Sequence, residues 1–310
     1  VLPSVAYRET QYRFPLPEQQ SAERRMLRSD LSFRTRFSRI FGDQEDPKSQ
    51  RYRHEVVPEV TYTSIPWVAR QRHPFFGPRD EEAFFTSNTA LNDVDDNKQF
   101  DYHDRLYERN LVTFSLSNYL IRKKWIDDLA SYSRIALFRL SQSYDYYESI
   151  QKYDPRQPWS DISALLDVRL DWLETNSLTR YYPYQNVATT ASRLRLIHPD
   201  QHFLELNYSL DFQIQKGQQV NAKARTEDLI VSAGTYLKNL SVAGNTTYSY
   251  VTHKFTNYGY LATVKPPGDC WHISLGQSFT QDDVVYTFSA AFLFDGKTAT
   301  DFSGNNKLMN

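Results

Sequence analysis

Polar and apolar residues alternate along this chain with a period of two. Between 203 and 212, Leu204, Leu206, Tyr208, Leu210 and Phe212 share one face. Glu205, Asn207, Ser209 and Asp211 share the other, on which only Phe203 is apolar. Successive strand side chains point to opposite faces, so this stretch predicts a strand with one apolar and one wet side. Val112, Phe114, Leu116 and Leu120 alternate in the same way with Thr113, Ser115, Ser117 and Tyr119. Ile162, Ala164, Leu166 and Val168 alternate with Ser163, Leu165, Asp167 and Arg169, and Trp271, Ile273, Leu275 and Phe279 with His272, Ser274, Gly276 and Ser278. Val284, Tyr286, Phe288, Ala290, Phe292 and Phe294 line one face of the last segment. A helix would mix these sets, and no stripe of helical period runs over twelve residues.

The alternation predicts about fourteen strands, at 1–14, 24–40, 51–65, 109–122, 132–145, 160–172, 174–185, 187–197, 201–213, 224–238, 240–252, 254–265, 270–280 and 283–294. Several reach the roughly 9–11 residues that a tilted strand needs to cross a bilayer, against about 5–6 for an ordinary strand. The predicted fold class is therefore all-β, an antiparallel transmembrane β-barrel over 1–294, with 295–310 as a periplasmic C-terminal tail. Counting back from that tail, the external connections are 281–282, 253, 214–223, 186, 146–159, 66–108 and 15–23. The internal ones are 266–269, 239, 198–200, 173, 123–131 and 41–50. The two longest, 66–108 and 146–159, fall in the external set, as outer-membrane barrels require; only 41–50 is longer than an internal turn should be. Segment 66–108 reads as a long extracellular loop whose acidic run Asp93, Asp95 and Asp96 is a solvated face, since nothing completes a cation ligand set.

Composition agrees. Hydrophobic content is 40% and mean hydropathy −0.63, yet there are 22 Tyr and 19 Phe. A wall one residue thick, apolar on one side and polar on the other and girdled by aromatics, reconciles the two. No apolar run approaches the eighteen residues of a membrane helix. The start Val1-Leu2-Pro3-Ser4 lacks a basic and an apolar leader region, so it reads as processed, or the chain as a piece of something longer. With 36 basic and 37 acidic residues, the chain has no nucleic-acid footprint.

Chemistry is sparse. There is no P-loop, dinucleotide fingerprint, nucleophile elbow, zinc-protease motif or paired-cysteine motif. The seven His residues (54, 73, 103, 198, 202, 253 and 272) stand scattered singly. The chain is therefore expected to be no enzyme and to carry no cofactor or metal. Asp167, Arg169, Arg193, Arg195, Glu205 and Asp211 fall on the wet face and are predicted to face the lumen. Such charges contact a polar ligand or plug, or pair across strands.

Four places carry a resemblance that spans nearly the whole chain. They are Leu2-Pro3-Ser4-Val5 leading to Tyr12-Arg13-Phe14, and His54-Glu55-Val56-Val57-Pro58-Glu59-Val60-Thr61-Tyr62 followed by Ile65-Pro66. The third is Asp104-Arg105-Leu106 with Asn110-Leu111-Val112-Thr113, then Arg139-Leu140-Ser141-Gln142-Ser143-Tyr144-Asp145. The fourth is Asp269-Cys270-Trp271 with a final strand ending Phe292-Leu293-Phe294. In this order they resemble the C-terminal part of the barrel of LptD, the lipopolysaccharide-assembly family of the bacterial outer membrane. The resemblance implies a translocon that inserts lipopolysaccharide into the outer leaflet through a lateral gate between the first and last barrel strands, without making or breaking bonds. It implies an LptE-like lipoprotein plug in the lumen, and an N-terminal half-barrel and periplasmic jellyroll of the same protein outside this chain. Only the gate's last strand, with Val284, Tyr286, Phe288, Ala290, Phe292 and Phe294, is then present, and its aromatic ending resembles the signal read by the barrel-assembly machinery. The family has two adjacent Cys where this chain has Asp269-Cys270. The resemblance implies that Cys270 is disulfide-bonded to a Cys in the missing region, which a mobility difference between reducing and non-reducing gels of the whole protein checks. Identical mobility would count against the bond. The alternative readings are another outer-membrane channel, porin-like or a hydrophobic-compound transporter, and a soluble β-protein that binds carbohydrate on an aromatic surface.

Overall fold

The computed structural model describes residues 1–13, 21–43, 46, 48–66, 68–70, 109–126, 128–150, 156–212, 214, 220–221, 224–266, 271–280 and 283–292. The alternating segments form β1 (Leu2–Arg13), β2 (Ser21–Arg34), β3 (Phe37–Phe41), β4 (Arg51–Ile65), β5 (Val68–Arg70), β6 (Arg109–Ile126), β7 (Leu129–Asp145) and β8 (Ile162–Arg169). They continue as β9 (Leu173–Tyr182), β10 (Val187–Ile197), β11 (Phe203–Phe212), β12 (Arg225–Leu237), β13 (Leu240–Ser249), β14 (Lys254–Val264), β15 (Trp271–Thr280) and β16 (Val284–Phe292). One short helix, α1 (Tyr146–Ile150), follows β7. The sheet has 16 strands, and its hydrogen-bonded path runs in chain order from β1 to β16, with β3 and β5 off the path. Every strand pairing resolved residue by residue is antiparallel, the up-and-down order of a barrel-like fold. Among the described residues no pairing joins β16 to β1.

The fourteen strands on the path correspond one to one with the expected set, and the two extra strands correct the count. The strand expected at 24–40 is interrupted at Thr35 and Arg36, although β2 and β3 pair with β4 in the same register, Arg34 opposite Glu59 and Phe37 opposite Val56. Pro58 lies opposite Thr35; it accepts from the Thr35 N–H at 3.3 Å but has no N–H to return, so the ladder loses one rung. β5 lies within the expected loop 66–108 and pairs Val68–Arg70 with β2. The expected turn 123–131 is much shorter. β6 runs on to Ile126 and β7 starts at Leu129, and Asp128 takes a left-handed φ of 64° that its short side chain tolerates. The connection expected at 146–159 contains α1.

The chain divides into two compact units. The first comprises residues 1–170, 175–192 and 209–226; the second, residues 171–174, 193–208 and 227–310.

In the first unit the register places Phe33, Val60, Phe114 and Gln142 in one cross-strand row, and Leu116, Leu140 and Ala164 in another, on the same face of the sheet. The opposite face carries Ser32, Thr61, Thr113 and Ser143. Burial runs against the habit of soluble proteins. Thr63, Ser117 and Ser143 on the polar face are 5%, 5% and 0% exposed, whereas Phe114, Leu116 and Phe138 on the apolar face are 46%, 39% and 43% exposed. Hydrogen bonds link polar groups of neighbouring strands on this face. Asp30 accepts from Arg28 Nε at 2.8 Å and Thr63 Oγ1 at 2.7 Å, Glu59 accepts from Ser32 Oγ at 2.6 Å, and the Thr113 and Ser143 hydroxyls pair at 2.8 Å.

The second unit repeats the scheme. Ala262, Leu275 and Phe288 are opposite one another on β14, β15 and β16, while Thr263, Ser274 and Ser289 occupy the other face. Thr263 and Ser274 hydroxyls pair at 2.8 Å and are buried. Gly234 of β12 lies beneath the ring of Phe203, where a Cβ would meet Phe203 Cε1 at 2.3 Å. Gly234→Ala therefore forces the ring aside and is expected to cost about 1–3 kcal/mol, as overpacking does. Chemical denaturation of the refolded protein checks this; unchanged stability would mean the ring does not rest on the glycine.

Candidate functional site

Two surfaces hold the residues that the sequence singles out. The first is the polar face near β10 and β11. Arg193 Nη2 donates to Glu205 Oε2 at 2.8 Å, and Arg195 Nε lies 3.8 Å from the same oxygen. Asn207 Nδ2 donates to Glu205 Oε1 at 2.9 Å, so one carboxylate gathers two guanidiniums and an amide. The Arg195 guanidinium also sits 5.0 Å from the centroid of the Phe203 ring that covers Gly234. Both arginines and the glutamate are reached by alternation along adjacent strands, which turns i, i+2 spacing in sequence into a cross-strand cluster.

Asp167 and Arg169 belong to the first unit and form a separate pair. Arg169 Nε donates to Asp167 Oδ1 at 3.1 Å, and Arg134 of β7 lies 3.9 Å from Asp167 Oδ2. Asp211 accepts from the backbone N–H of Phe212 at 2.9 Å. Of the six expected charges, Arg193, Arg195 and Glu205 form one cluster in the second unit, while in the first unit Asp167 pairs with Arg169 and Asp211 accepts from a backbone N–H. What the sequence did not single out is the Ser4, Arg28, Asp30 and Thr63 network on β1, β2 and β4, in which Ser4 Oγ donates to Asp30 Oδ2 at 3.4 Å. The alternation signals polar residues there, but only the register shows that they meet.

The second surface is the last strand on the path. Val284, Tyr286 and Phe288 stand 49%, 76% and 69% exposed on one face of β16, and Ala290 is exposed in line with them. They lie opposite Phe279, Gln277, Leu275 and Ile273 of β15. Phe292 pairs through its backbone with Trp271, while its side chain, Phe294, Cys270, Asp93, Asp95, Asp96 and the tail 295–310 lie outside the described residues.

Aromatic rings gather at one end of the second unit's strands. Tyr248 packs edge-on against Tyr250 and Phe255 at centroid distances of 5.2 and 5.3 Å, and Tyr208 meets Tyr250 at 6.4 Å. Tyr258 and Phe279 stack at 4.3 Å.

Fold and faces together define an all-β, barrel-like protein whose apolar side is the exposed one. No family model matches the chain, and no curated protein sequence matches it.

Proposed function

We propose that the chain forms part of a transmembrane β-barrel of a bacterial outer membrane, and that this barrel delivers lipopolysaccharide to the outer leaflet. The observation that carries the membrane reading is the inverted burial. Leaving Phe114, Leu116, Phe138, Tyr286 and Phe288 in water forgoes about 25 cal/mol for every Å² of apolar surface. Within each unit, an exposed apolar row such as Phe33, Val60 and Phe114, or Leu275 and Phe288, calls for an apolar medium or a partner. Lipid supplies that medium, and the hydrogen-bonded polar faces then line the lumen. The clustering of Tyr208, Tyr248, Tyr250 and Phe255 supports an interfacial girdle in this reading.

The conduit reading rests on the resemblance to the LptD family. In that reading β16 is one jamb of a lateral gate, the first strand belongs to the N-terminal part of the same protein, and an LptE-like lipoprotein plugs the lumen. In the second unit the charges around Glu205, and separately in the first unit the pair at Asp167, offer polar contacts to that plug or to the sugar of the passing lipid. The chain performs no covalent chemistry and needs no cofactor. Depletion of the full-length protein in cells is expected to stop newly made lipopolysaccharide from reaching the surface, read by a surface-restricted modifying enzyme. Unchanged delivery, with the purified protein conducting as an open pore, would replace this reading with a porin-like or hydrophobic-compound channel.

A further inference from the structure

The connection between β10 and β11 brings together two histidines that look isolated in the sequence. Its residues are His198-Pro199-Asp200-Gln201-His202. Pro199 presets the first central position of a tight turn, and Gln201 follows in a left-handed conformation with φ of 64°. The Gln201 N–H donates to His198 O at 2.8 Å, and the His198 N–H donates to His202 O at 2.8 Å. The closed turn sets the two imidazoles face to face, with centroids 5.5 Å apart and ring planes inclined by 28°. Asp200 completes the group, its Oδ2 lying 3.4 Å from His198 Nδ1. One possible ligand atom from each of the three residues lies within 4.8 Å of the other two.

These distances suit a small metal ion. Zn²⁺ binds nitrogen and oxygen at about 2.0–2.2 Å, which sets neighbouring ligand atoms of a tetrahedron about 3.4 Å apart. His198 Nδ1 and Asp200 Oδ2 already stand at that separation, and both side chains are exposed; metal binding at Nδ1 replaces the hydrogen bond it accepts from the Asp200 N–H at 3.2 Å. His202 is braced from a third strand. Its Nδ1 lies 2.8 Å from Thr235 Oγ1 of β12. With Nδ1–H donating to that hydroxyl, the Nε2 lone pair is left to the metal, the usual arrangement of a metal-bound histidine and its support. Two imidazoles in a set of three favour a borderline transition metal over Ca²⁺ or Mg²⁺, which take oxygen.

We propose that His198, Asp200 and His202 form a mononuclear site for a divalent transition metal, Zn²⁺ foremost, with water in the fourth position. The ion clamps the β10–β11 turn, and Thr235 ties the clamp to β12. The site stands on its own geometry and is independent of the lipid-transport reading.

The test is calorimetric titration of tag-free, full-length protein in detergent with ZnCl₂, alongside the visible absorption of the Co²⁺ form. One equivalent is expected to bind with a micromolar or tighter Kd, and Co²⁺ to give the intense bands of four-coordination. His198→Ala and His202→Ala are expected to weaken binding at least tenfold, and Thr235→Val about tenfold, as loss of a supporting contact does. Asp200→Asn keeps the turn chemistry and removes the charged ligand, so weaker binding by this variant, with unchanged heat-dependent gel mobility, separates lost coordination from lost folding. Absence of binding, or titrations identical in the wild type and the His198→Ala/His202→Ala double variant, would overturn the proposal.

Discussion

Leu116→Arg is expected to destabilise the protein in a bilayer by about 2–4 kcal/mol, the cost of a guanidinium facing lipid near the membrane midplane. Ser115→Arg, one residue away on the polar face of β6, is expected to cost less than about 1 kcal/mol. The contrast is informative because Leu116 is already 39% exposed. In a water-soluble sheet, an arginine at a site so exposed would change stability by only a few tenths of a kcal/mol. Reversible urea unfolding from phospholipid vesicles measures both variants. Similar small effects at the two positions would mean that the apolar face does not meet lipid.

The second large effect is expected at Glu205. Glu205→Ala leaves Arg193 and Arg195 on neighbouring turns of the pleat with no carboxylate between them, and removes the acceptor of Asn207. Breaking one partner of a fully buried ion pair costs about 3–5 kcal/mol. The side chains of Arg193 and Arg195 are 42% and 20% exposed, so solvent screening brings the expectation down to about 2 kcal/mol. Adding Arg195→Leu should restore part of the loss by removing a charge that the carboxylate offsets and leaving an apolar contact for Phe203. The same unfolding assay reads the cycle. An additive double variant would show that the carboxylate does not hold the arginines together.

The strands were legible because alternation is a local signal that one-sided burial imposes on every residue of a strand. Leu204 to Phe212 announces β11 without any knowledge of its neighbours. Departures arise where a neighbour decides. The gap at Thr35 and Arg36 is caused by Pro58, which is distant in sequence and becomes adjacent only through the register of β2 and β4. The connection expected at 123–131 is mostly strand because Lys123 and Lys124, which break the apolar alternation, remain paired, opposite Tyr132 and Ser131. The meeting of Arg193 and Arg195 with Glu205 has the same origin, since a wet face is readable in one strand whereas its partners are not. His198 and His202 looked unrelated until Pro199 and Gln201 closed the turn between them. The three-residue strand β5 carries too short a pattern to separate from the loop around it.

Which face of the sheet meets lipid separates a membrane barrel from a water-soluble sheet. Nitroxide labels at Phe114, Leu116 and Leu140, and at Ser115, Ser141 and Thr263, in protein reconstituted into vesicles, report this by collision with oxygen and with a water-soluble nickel chelate. With the apolar face in lipid, the first three labels collide with oxygen and are shielded from nickel, and the second three show the reverse. Nickel access at Phe114, Leu116 and Leu140, or a protein that stays dispersed without detergent and does not enter vesicles, would contradict that placement.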